Sequence, residues 1–69
     1  MIKVMKITNT DTDRSDYKVE LFADTKSEVT PNAKIIGLPE GTTIELGSSV
    51  ITAAGEIAFM KSDGTWNWL

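Results

Sequence analysis

Apolar side chains in this chain recur at alternate positions, and no 11-residue window sustains a 3.6-residue period. Ile2–Ile7 carries Ile2 and Val4 on one parity and Met5 and Ile7 on the other, which predicts a strand with a shift of face inside it. Thr8–Asp16 contains no apolar residue and reads as a loop. Tyr17, Val19, Leu21 and Ala23 then alternate with Lys18, Glu20 and Phe22, a half-buried strand with Phe22 alone out of pattern. Asp24–Glu28 fits one helical turn or a turn between strands, and Pro31 biases Thr30 away from helix. Ile35-Ile36 is a short apolar run closed by Gly37, and Pro39-Glu40-Gly41 has the shape of a tight turn. Thr43–Leu46 alternates, Gly47 interrupts, and Ser49–Ala53, Glu56–Lys61 and Trp66–Leu69 complete the expected strands. Strand signals separated by turn signals throughout predict an all-β fold: a small antiparallel sheet or barrel-like meander with a C-terminal β-hairpin, forming one domain over residues 1–69.

The last hairpin permits a register. Read as a two-residue type I′ loop, Asp63-Gly64 sets Lys61 opposite Trp66 and Phe59 opposite Trp68. Ile57, Phe59, Lys61, Trp66 and Trp68 then share one face, with Ala58, Met60, Asn67 and Leu69 on the other. Both faces are largely apolar, so each needs a cover. The candidate interface residues are therefore Ile57, Phe59, Met60, Trp66, Trp68 and Leu69. A chain of 69 residues without disulfides has a small core, and self-association is one way to extend it. A homo-oligomer held partly by this hairpin is the expectation.

Composition narrows the chemistry. The chain has no cysteine and no histidine, which removes thiol and imidazole nucleophiles and bases together with the usual zinc ligands. No residue set marks a catalytic, cofactor or metal site. Asp11–Asp16 resembles the start of a calcium loop, but Asp16 stands where the loop needs glycine and Phe22 where it needs a bidentate acid. Gly37–Gly41 and Gly47-Ser48-Ser49 match no phosphate-binding pattern. A net charge of −3 argues against nucleic acid as partner. Apolar runs are short, the longest being Ile57–Met60, so neither a signal peptide nor a membrane span is expected. Trp66 and Trp68 read as core or interface anchors, or alternatively as a stacking platform for carbohydrate or peptide.

Ala23–Glu28, Ile36–Thr42, Leu46–Thr52, Gly55-Glu56 and the closing Met60–Trp66 together form a string. It resembles small proteins encoded among the structural genes of tailed bacteriophages and prophages, over roughly residues 17–68. The resemblance implies a non-enzymatic virion component, associated with capsid or tail. It also implies assembly as a trimer or ring with other virion proteins, in the virion and, during assembly, in the host cytoplasm. It carries no catalytic residue. The chain ends just after the hairpin, without the extension of a complete fibre. The readings from other classes are a small binding module using the Trp66/Trp68 face, and a regulator that binds a host enzyme through an acidic surface.

Overall fold

The alternating pattern becomes a single sheet. A computed structural model describes residues 1–11, 16–31, 33–39 and 41–69. Among them are β1 (Ile2–Asp11), β2 (Asp16–Ala23), a 3-10 turn (Lys26–Glu28), β3 (Ile35–Ile36), β4 (Thr43–Ile44), β5 (Ser49–Thr52), β6 (Ile57–Met60) and β7 (Trp66–Trp68). The strands lie in the order β3-β1-β2-β5-β6-β7, with β4 also against β2. The fold is all-β and ends in the expected hairpin. The sheet is mixed, because β1–β3, β2–β4 and β2–β5 are parallel while the hairpin pairs are antiparallel.

β1 and β2 run on past the expected strand ends, so Thr8–Asp11 and Asp16 are strand and not loop. Residues 12–15, within the calcium-like spacing, lie outside the described residues. The expected shift of face in β1 is a bulge. Its register slips between Val4 and Lys6 and again between Ile7 and Asn9, leaving Met5 and Thr8 as the extra residues. The slip turns Ile7 to the same side as Val4, opposite Val19. At the second bulge the Thr8 hydroxyl donates to the Lys18 carbonyl at 2.9 Å.

One face of the sheet holds the core: Ile2, Val19, Leu21, Ala23, Val50 and Ala58 are buried there with Val29. After β2 the chain pairs β3 outside β1, then crosses to β4 on the far side of β2. Val29, Ala33, Ile35 and Leu38 pack on the core along this path. Among the described residues, this connection packs on the core face.

β4 and β5 share one side of β2 with a gap between them. Tyr17 pairs with Ile44 and Glu20 with Ser49, so two residues of β2 face four of the other segment. The surplus loops outward at Leu46 and at Gly47, whose φ is 89°. Ser48 bridges the gap. Its Oγ accepts the Val19 amide at 3.0 Å and donates to the Tyr17 carbonyl at 3.4 Å.

The C-terminal register differs from the sequence reading. Met60 pairs with Trp66, Phe59 with Asn67 and Ala58 with Trp68. Lys61 therefore does not face Trp66, nor Phe59 Trp68. The loop has three residues, not two: the Gly64 amide donates to the Lys61 carbonyl, Lys61 donates to the Thr65 carbonyl, and Gly64 has φ 84°. This is a turn followed by a left-handed glycine bulge. Asp63 fixes it by accepting the Thr65 amide at 3.0 Å and the Thr65 hydroxyl at 2.6 Å. One added loop residue moves every later side chain to the opposite face.

Candidate functional site

The corrected register divides the six candidate interface residues. Met60, Trp66 and Trp68 lie on the core face, where Met60 is buried and the two indoles are half-buried. The Lys26 ammonium sits 5.0 Å from the centre of the Trp68 ring, so this tryptophan is roofed by the 3-10 turn rather than presented as a platform. Ile57, Phe59 and Leu69 lie on the open face.

The open face carries more apolar surface than those three. Tracing the pairings across the strands gives one row: Ile36, Lys3, Phe22, Ile51, Ile57 and then Leu69. The last step follows from the Leu69 amide donating to the Ile57 carbonyl at 3.0 Å. Beside it runs a second row of Glu20, Ser49, Phe59 and Asn67. Phe59 is 43% exposed, Ile36 56% and Leu69 82%. Phe22, out of pattern in the sequence, is the half-buried centre of the first row, with the Lys3 ammonium 6.0 Å from its ring centre. Ile36, Phe22 and Ile51 are the members that the hairpin alone did not reveal. Phe22, breaking the alternation of its strand, was their one sequence signal.

Polar groups are organised for local structure. The Met1 ammonium pairs with Glu28 and, at 3.1 Å, with Asp24. The Glu28 hydrogen bond raises the amine above its usual value, and the same contact holds the Glu28 carboxyl below its own. The Asp63 carboxyl is likewise held low by the Thr65 hydroxyl and amide. Two open clefts, of about 330 and 350 Å³, flank the segment after β3 and share Ala33, Ile35 and Thr42; Lys34 is the only charged side chain among the described residues lining them. No group of three acidic residues able to hold a metal ion occurs among the described residues. No known protein family, curated protein sequence or solved structure matches the chain.

Proposed function

We propose that this chain is a non-enzymatic structural subunit of a tailed phage or prophage particle that assembles with copies of itself through the open face of its sheet. The observation that carries self-assembly is the apolar row Phe22, Ile51, Ile57 and Leu69 with Phe59 beside it, on the face opposite the one against which the described connection packs. A sheet packs its second apolar face against another layer, and in this reading that layer is a second copy of the chain. The phage assignment rests on the sequence resemblance, which implies a trimer or ring. The platform alternative has less support, since Trp66 and Trp68 lie on the covered face.

Light scattering after size exclusion, at micromolar to millimolar concentration, should give a mass above 7.6 kDa that rises with concentration. The double variant Phe59→Ser/Ile51→Thr should shift it downward. A 7.6 kDa species throughout would overturn self-assembly. Peptide mass spectrometry of purified particles from a strain carrying the gene tests the virion assignment; its absence from particles would overturn that part alone.

A further inference from the structure

The last strand of the sheet, β7, directs backbone groups away from its neighbour. Along β6–β7 the Leu69 amide bonds the Ile57 carbonyl and the Lys61 amide bonds the Thr65 carbonyl. Residues 65, 67 and 69 therefore use their backbone groups on β6. The β5–β6 bonds agree: Thr52 donates to Glu56 and Met60 to Ser48, which reserves the opposite parity of β6 for β5. By the same alternation, the amides and carbonyls of Trp66 and Trp68 point away from the sheet. β7 is the end of the strand order, so no described strand meets them. β7 is short, at three residues, but it carries no lysine, proline or bulge within Trp66-Asn67-Trp68 that would block pairing along its edge.

From these observations we infer that β7 pairs antiparallel with β7 of a second chain about a two-fold axis through Asn67, a contact that rests on the self-assembly reading above. A register centred on Asn67 uses all four outward groups. Trp66 must face Trp68 of the other chain and Trp68 must face its Trp66, which makes four backbone hydrogen bonds. Shifting the axis to Trp66 leaves Trp68 opposite the turn glycine Gly64. The sequence suits this register because Trp-Asn-Trp reads the same in both directions. Each indole meets an indole on the core side. The two Asn67 amides meet on the open side, where each can donate and accept. That central pair is the closely spaced, non-hydrogen-bonded kind, with Cα atoms about 4.5 Å apart. The two open faces become one continuous surface. A two-fold contact also restricts closed assemblies to even numbers of chains, which retains dihedral rings and excludes a cyclic trimer.

Single-cysteine variants test this cleanly, because the natural chain has no cysteine. Mild oxidation of Asn67→Cys should give a covalent dimer in high yield, since the expected separation lies within the disulfide range of about 4.4–6.8 Å. Phe59→Cys, exposed on the same face but one strand inward, should not cross-link through the edge; its two copies would be three strand spacings, about 14 Å, apart. Asn67→Lys, which opposes two ammonium groups on the axis, should weaken association at least about tenfold with an unchanged far-ultraviolet spectrum. Cross-linking at position 59 but not at 67 would overturn the edge pairing and leave assembly through the face standing. An odd-numbered assembly would also overturn it. A wild-type protein monomeric at every concentration would overturn both readings.

Discussion

Ser48 has no exposed surface, yet it is polar, and its hydroxyl replaces a piece of ladder that the backbone does not make. Deleting it leaves the buried Val19 amide without a partner, which costs ~1–3 kcal/mol. A domain of this size has only about 3–5 kcal/mol to lose. Ser48→Ala should therefore lower the urea midpoint sharply, whereas Ser49→Ala, next along the chain on the open face, should stay within ~0.5 kcal/mol of wild type. Equal midpoints for the two variants would show that the Ser48 bridge contributes nothing. Phe22 teaches the complementary lesson. The Tyr17–Ala23 alternation placed Val19, Leu21 and Ala23 in the core from sequence alone, and the one residue that broke it marks the centre of the open apolar row.

At the scale of elements, both C-terminal hairpins close in the same way. Gly55 donates to the Thr52 carbonyl and Gly64 to the Lys61 carbonyl, and both glycines have positive φ, 85° and 84°. A Cβ added at Gly64 would meet nothing within 4 Å, so Gly64→Ala would cost only the backbone strain, ~1–2 kcal/mol. Gly64→Asn should cost less, because asparagine tolerates that conformation better. Thermal melts that rank the variants Gly, Asn, Ala in falling stability would bear this out; an alanine variant as stable as wild type would contradict the bulge. The same turn explains what the sequence could not reveal. Asp63-Gly64 supplies a positive-φ glycine to a two-residue or a three-residue loop alike, and the choice decides whether Trp66 and Trp68 face inward or outward. Strand existence was legible from local alternation, and the bulge in β1 from its change of parity. The parallel pairing of β2 with β5 was not, because it depends on where the intervening chain crosses the sheet.

For the whole molecule, the start of β1 is tied to the 3-10 turn that roofs Trp68, through the Met1 ammonium, Glu28 and Asp24. The two titrations act at opposite ends of the pH scale. Glu28 is held below its ordinary value of 4.5, so its contribution is present above that value and is lost as pH falls through the depressed one. The amine is raised above its ordinary value of 8.0, so its contribution is present below that value and is lost as pH rises through the raised one. Between the two ordinary values the tie is complete. The melting temperature should therefore be highest across that interval and fall on both sides. The acid limb is shared with Asp63, whose carboxyl is also held low, so it is the less specific of the two. The alkaline limb isolates the tie. Glu28→Gln removes the contact that most raises the amine while Asp24 remains, and should flatten that limb without abolishing it. The Met1 amine and Asp24 are solvent-exposed and Glu28 partly so, so added salt should shrink the difference between wild type and variant by screening. Melts of the two proteins that superimpose through the alkaline limb at low salt would show that the terminal ammonium does not hold the turn in place.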